Sequence, residues 1–455
     1  MNEGDIPDFG VFWYIVAMFR RLGWLALIGL IEEFLWIEIC SLGPLRENTA
    51  AFLGLIFLAF SLFLWTFFRI PLSSKQAVWL VLGFALSFRL TVLFAPPYQS
   101  EDVYRYIWDA RVASLGINPY RYPPNAPELE NLRDDKVYPL INSKPYITAY
   151  PPLSQVLFRI PYALFGNNVA AMKAMFSLFE FLAVIIAWRL LILWNQRIQT
   201  LLLVAWNPFF VFEFSHSGHS DGAMIFLALG SFYLLSRHRK GCAAVSYAGA
   251  VFTKLHPALW FPLFWRRTGW KPMTACIAAS SGLILLYFNF STWIHYLKSL
   301  GLYFRLFEFN ASIHYLIRFV GKWVFNESWD KVIGSYTGAL MLVIALLIFW
   351  KFPIRDARDL LHACFWIMTA DLCMATTAHP WYISWAALAL PFFPYAFMLY
   401  WTGACFLSYI AYSYRPVFEP GWALVLEYIP VYGIMGCEIW RRRSLIADWI
   451  ERRSW

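Results

Sequence analysis

The chain has 455 residues, of which 60% are hydrophobic, 20% aromatic and only 14% charged, against about 25% charged in ordinary globular chains. A single water-soluble core cannot hide that much apolar surface, so the chain is an integral membrane protein, and its long apolar runs make it helical rather than a barrel. The net charge of +9 is explained by Lys and Arg gathered in cytoplasmic loops; no basic domain, zinc-ligand spacing or Gly-rich phosphate loop points to nucleic acid or nucleotides.

The N-terminus opens with Glu3, Asp5 and Asp8 and lacks the basic start of a cleaved signal peptide. Apolar runs predict about twelve membrane-spanning helices, near 22–41, 50–69, 76–95, 168–192, 198–214, 218–236, 272–290, 332–350, 359–378, 381–398, 400–414 and 421–440. The stretch 242–265 differs. It is basic at both ends and breaks at Lys254-Leu255-His256-Pro257, which reads as a re-entrant hairpin whose irregular backbone lines a polar cavity. The expected fold is therefore all-α: one polytopic domain over 1–455. Short loops on one side hold 20 of the 37 Lys and Arg residues, which makes that side cytoplasmic. The opposite side receives 96–167, 291–331 and the turns at 215–220 and 379–381. The seven cysteines all lie in or beside apolar stretches without a CxxC pair, so neither a disulfide framework nor a metal cluster is indicated.

The segment 96–167 is too long for a passive connector and is expected to carry amphipathic helices. Ser100 is placed to cap a helix whose first turn holds Glu101 and Asp102. That helix should end at Gly116. Asp102, Tyr106 and Asp109 share one face, with Arg105 on its flank. An acid pair at a membrane surface supplies a general base; the plainer reading is that acids favour a helix N-terminus. The run Ser215-His216-Ser217-Gly218-His219-Ser220-Asp221 falls on the same predicted side. Its His and Ser donors suit a sugar or phosphate. His and Asp also ligate divalent ions, although nothing demands a metal, and a hydrated turn is the bland alternative. Lys254 and His256 put cations at membrane depth, where an ionisable group marks a functional site unless it snorkels to the interface. His379-Pro380-Trp381-Tyr382 and Phe309-Asn310-Ala311-Ser312 complete that side. An anchoring belt accounts for Trp381 and Tyr382 better than for His379. Asp371, within a span, should face the bundle interior.

These blocks resemble the GT-C glycosyltransferases that use polyprenyl-phosphate sugars, and most nearly the bacterial polyprenyl-phosphate-mannose-dependent α-mannosyltransferases. The resemblance rests on Ser100-Glu101-Asp102-Val103-Tyr104-Arg105-Tyr106 with Trp108-Asp109, Gly116-Ile117-Asn118-Pro119-Tyr120, Tyr150-Pro151-Pro152, His219-Ser220-Asp221, Lys254-Leu255-His256-Pro257, Phe309-Asn310-Ala311-Ser312 and His379-Pro380-Trp381-Tyr382. It implies an inverting hexosyl transfer, mannose favoured, from a polyprenyl-phosphate donor to a lipid or glycan acceptor. The expected setting is the extracytoplasmic face of a bacterial inner membrane. Asp102 would be the base, with Glu101 as fallback. Arg105, Lys254, His256 and His379 would meet the donor phosphate. Asp109, His216, His219, Asp221, Asn310, Trp381 and Tyr382 would meet the sugar or acceptor. No cofactor is implied. A transporter or flippase of polyprenyl-linked sugars is the alternative, suggested by the broken helix at Lys254.

Overall fold

The computed structural model describes residues 9–72, 74–326 and 330–451. Helices are the regular structure of the described residues, joined by turns and irregular segments. The extended pairing among them is an isolated parallel bridge between Phe309 and Thr377. Among the described residues, six helices are long and apolar enough to cross a membrane: Thr49–Arg69, Lys75–Leu93, Val169–Leu193, Ile198–His216, Ile333–Lys351 and Gly421–Arg441. A seventh is reached if Trp270–Tyr287 and Phe290–Gly301, bent by 101°, count as one span. The expected twelve are thus met by six or seven on length and composition. Phe9–Ser41 is long enough but carries Arg20, Arg21, Glu32, Glu33 and Glu38. The acidic start at Glu3, Asp5 and Asp8 lies outside the described residues.

Two predicted spans fold differently. Over 381–398 and 400–414 the chain forms short pieces: a 3-10 turn Pro380–Ile383, a single turn Ser384–Ala387, a helix Ala396–Ala404 and a 3-10 run Cys405–Ser413. Pro380, Pro391 and Pro394 lack the N–H a continuous helix needs. The pieces are nonetheless almost wholly buried, so the freed backbone groups need partners from the protein. Buried side chains supply them. The Glu438 carboxylate accepts from the amides of Ala396 at 3.0 Å and Phe397 at 3.3 Å. Gln199 does the same elsewhere, accepting from Leu72 N–H and donating to the carbonyls of Phe67 and Ile70.

Burial separates centre from rim. In Ile198–His216, 94% of the span is buried, against 17% in Ile333–Lys351, so the first is the axis of the bundle and the second presents its side chains outward. The central span is itself broken. Asn207 accepts from Phe209 N–H ahead of Pro208, and the chain then widens into a π-helical turn over Val211–His216. Such turns recur at functional sites because they re-aim the side chains that follow. The turn exits through Gly218 at φ +77°, where a Cβ would stand 2.6 Å from Lys173 Cγ; glycine alone fits there. Beside it, Arg89 of Lys75–Leu93 donates to both oxygens of Glu180 in Val169–Leu193, at 2.5 and 2.8 Å, a forked ion pair between two spans.

The segment 96–167 is folded rather than draped. The helix Asp102–Ser114 and the 3-10 turns Pro127–Leu132 and Tyr138–Leu140 build a second apolar cluster. There Val103, Tyr106, Ile107 and Trp108 pack on Phe158 and Phe176. Helix Asp102–Ser114 ends at Leu115, and Gly116 follows at φ +76°, where the sequence placed its stop. The stretch 242–265 is two helical arms, Lys240–Thr253 and Phe261–Thr268, separated by extended Lys254 and a 3-10 turn His256–Trp260. The first arm packs along Asp221–Ser236, which brings Lys254 back beside Asp221.

Candidate active site

A cavity of about 560 Å³ opens where these irregular segments meet, within the range of small-molecule sites. Its wall includes Glu101, Asp102, Arg105, Asn142, Lys254, His256, Glu308, His379, Trp381, Tyr382 and Trp385. Residues from 99–151, 254–256, 299–309 and 377–385 thus meet, although they are far apart in sequence.

Asp102 sits at the first turn of its helix, with Ser100 Oγ 3.3 Å from its amide. Its Oδ1 accepts from Asn142 Nδ2 at 3.1 Å, and its Oδ2 lies 3.6 Å from His219 Nδ1. Burial opposes ionisation, yet the facing His219, Lys254 and Asn142 outweigh it and hold the carboxyl well below the ordinary carboxylate range. The neighbouring acid is spoken for differently: Glu101 is paired with Arg46 at 2.6 Å, in a pair about one-third exposed. The two acids are thus not equivalent. One is inward, ionised and open to the cavity; the other is held at the rim.

Lys254, His256 and Arg105 each face a carboxylate. Lys254 Nζ lies 3.2 Å from Asp221 Oδ2 and faces the rings of Tyr150 and Tyr382. Asp221 Oδ1 accepts from Trp385 Nε1 at 2.7 Å. His256 Nδ1 is 2.8 Å from Asp371, and its ring stacks on Trp385. Arg105 donates from Nε to Asp109 at 2.9 Å and from Nη2 to the Tyr146 carbonyl, so its fork is largely occupied. His379 stacks between Phe309 and Trp381. Burial pushes its imidazole down to about 3, so it faces the cavity as a neutral ring and not as the cation expected from sequence.

The remaining expected residues divide by position. Trp381 and Tyr382 are buried rings on the cavity wall, not an outward belt. His219 and Asp221 lie directly behind it, touching Asp102 and Lys254. Asp109, His216 and Asn310 are outside the lining. Asp109 is buried between Arg105 and Gln155. His216 stacks on Phe212. Asn310, at φ +52°, ties its loop to Ala378 and to Glu427, so its side chain serves the fold. The run 215–221 is wholly buried and therefore not a hydrated turn. Among the described residues, no group of three His, Cys, Asp or Glu is placed to hold a metal ion. Sequence reasoning passed over Arg46, Asn142, Glu213 and Trp385. Only Glu213 left a signal, as an acid inside an apolar span.

The chain matches the family described as alpha-(1->6)-mannopyranosyltransferase, N-terminal domain, over residues 14–296. It is also 22% identical over 333 residues to alpha-(1->6)-mannopyranosyltransferase A of Mycobacterium tuberculosis, covering 66% of this chain and 63% of that protein. The match thus spans somewhat under two thirds of that relative's length. No solved structure matches the chain.

Proposed function

This chain belongs to the alpha-(1->6)-mannopyranosyltransferase family, and we propose that it moves a mannosyl group from a polyprenyl-phosphate sugar to a hydroxyl of a lipid or glycan acceptor. The transfer takes place on the extracytoplasmic face of the membrane, with inversion at the anomeric carbon. The observation that carries this reading is Asp102: an ionised carboxylate on the wall of a cavity ringed by aromatics and cations.

The acceptor oxygen attacks the anomeric carbon, and Asp102 takes its proton. The bond from that carbon to the phosphate oxygen breaks, and its electron pair leaves with the lipid phosphate. Negative charge grows on that phosphate, so fixed positive charge and N–H donors beside it lower the barrier. Lys254 suits this task best, because an ammonium has three donors and Asp221 occupies one side of it. Arg46 can turn from the partly exposed Glu101, and neutral His379 adds a hydrogen bond. Trp381, Tyr382 and Trp385 offer flat apolar faces to a pyranose ring.

The test is to incubate the purified protein with polyprenyl-phosphate mannose and acceptor and measure release of the lipid phosphate. Asp102→Asn should lose about 10²–10⁴-fold in kcat. Turnover close to that of the unaltered protein would remove Asp102 from the role. The transporter alternative is separated in proteoliposomes carrying labelled lipid, where a flippase moves the lipid without cleaving its phosphate–sugar bond.

A further inference from the structure

The imidazole of His219 is fully buried and faces two carboxylates at once. Nδ1 lies 3.6 Å from Asp102 Oδ2, and Nε2 lies 3.5 Å from Glu213 Oε2. The ring is clamped flat on Trp381, with centroids 3.8 Å apart and planes at 17°. Neither ring nitrogen has a closer partner. Glu213 is fixed from behind by Tyr409, whose hydroxyl reaches its two carboxylate oxygens at 2.9 and 3.0 Å. Glu213 lies within the π-turn Val211–His216 and His219 just past its Gly218 exit, so the widened turn is what brings them together.

We propose that His219 is the positioning residue for Asp102, and that Glu213 holds His219 in place at the far end of an Asp102–His219–Glu213 line. This rests on the assignment of Asp102 as the base. It moves His219 from contacting sugar to acting through Asp102. It also gives a role to Glu213, which no part of the proposed chemistry otherwise uses. An imidazole that carries hydrogen on Nδ1 donates toward Asp102 and leaves Nε2 to face Glu213, so the side chain of Glu213 fixes which edge of the ring meets Asp102. The donor at Nδ1 then keeps Asp102 ionised and holds Oδ2 inward. The Asn142 amide holds Oδ1, so the carboxylate presents one orientation to the acceptor hydroxyl. The separations of 3.5 and 3.6 Å are long for hydrogen bonds, and such contacts commonly tighten when substrate closes the site.

The consequence is a pH profile. Lys254, His379, Tyr106, Tyr150 and Tyr412 also face Asp102, and all stay in place in the variants below. Asp102 acts when ionised, so activity is lost as pH falls through its titration. Loosening the Nδ1 donor raises that titration, and the acid limb of kcat/KM moves toward neutral pH. Glu213→Gln and His219→Ala should each shift the limb upward by about one pH unit or more and lower kcat with little change in either KM. His219→Asn, whose amide can reach the place of Nδ1, should recover part of the loss.

Unfolding of each variant in detergent is measured alongside, and His219→Asn keeps the test informative if His219→Ala does not fold. An unmoved acid limb in both Glu213→Gln and His219→Asn, or a rise in KM at unchanged kcat, overturns the proposal and returns His219 to substrate contact. Asp102→Asn in the same series distinguishes the two failures. If it stays active, the base assignment is wrong; if it is inactive while the limb stays fixed, only the positioning line is wrong.

Discussion

Replacing Lys254 by Met removes the charge that compensates Asp221 Oδ2, an oxygen that accepts no hydrogen bond among the described residues. At 3.2 Å and an effective dielectric of about 20, the attraction between the two charges is about 5 kcal/mol. Asp221 is fully buried and Lys254 nearly so, so water cannot replace the lost partner cheaply. Breaking such a pair costs about 3–5 kcal/mol. Adding Asp221→Asn removes the orphaned charge while keeping the acceptor for Trp385 Nε1. What remains is an unpaired amide, worth about 1–3 kcal/mol. The double variant should therefore be about 2 kcal/mol more stable than Lys254→Met alone. Unfolding in mixed detergent micelles, followed by tryptophan fluorescence, measures both. Turnover then separates structure from chemistry. If Lys254 stabilises the departing phosphate, the double variant regains stability yet remains about 10²-fold slow. A double variant no more stable than the single one would refute the electrostatic reasoning. Full recovery of turnover would move the phosphate role away from Lys254.

Arg105→Gln strands Asp109, so it should lower stability by about 3 kcal/mol without raising the KM for donor, as read from unfolding and initial rates together. Glu101→Gln breaks a partly exposed pair with Arg46 and should change stability by less than about 1 kcal/mol. Its turnover should fall less than that of Asp102→Asn, since Glu101 is held at the rim; equal losses in the two variants would contradict that ranking. Gly222→Ala puts a Cβ 2.6 Å from the Phe176 carbonyl oxygen and 3.2 Å from Glu180 Cβ, forcing two packed helices apart at about 1–3 kcal/mol. Gly54→Ala, with open space around it, should instead be neutral or stabilising by about 0.5–1 kcal/mol; a destabilised Gly54→Ala would show that lipid-facing packing had been misjudged.

The sequence alone determined the class of molecule and which stretches of the chain carry the ionisable residues of the proposed site. Apolar runs and the sparse charge dictate helices in a bilayer, because unpaired backbone is too costly there. Local rules placed the helix at Asp102, its end at Gly116 and the break at Lys254, since capping, positive φ and proline act within a few residues of themselves. Those same rules failed over 381–414. The apolar run was read as two straight spans, whereas buried Glu438 made a broken path affordable from a distant helix. Function followed the same division. Asp102 was legible as an acid at a helix start, and Lys254 as a cation at membrane depth. Sequence could not tell that Arg105 is spent on Asp109, that His379 is neutral, or that Asn310 braces a loop. Each of those depends on which group arrives from elsewhere in the fold. Charge state and hydrogen-bond capacity at a buried site are set by neighbours across space, and only the tertiary structure brings His219 and Glu213 up behind Asp102.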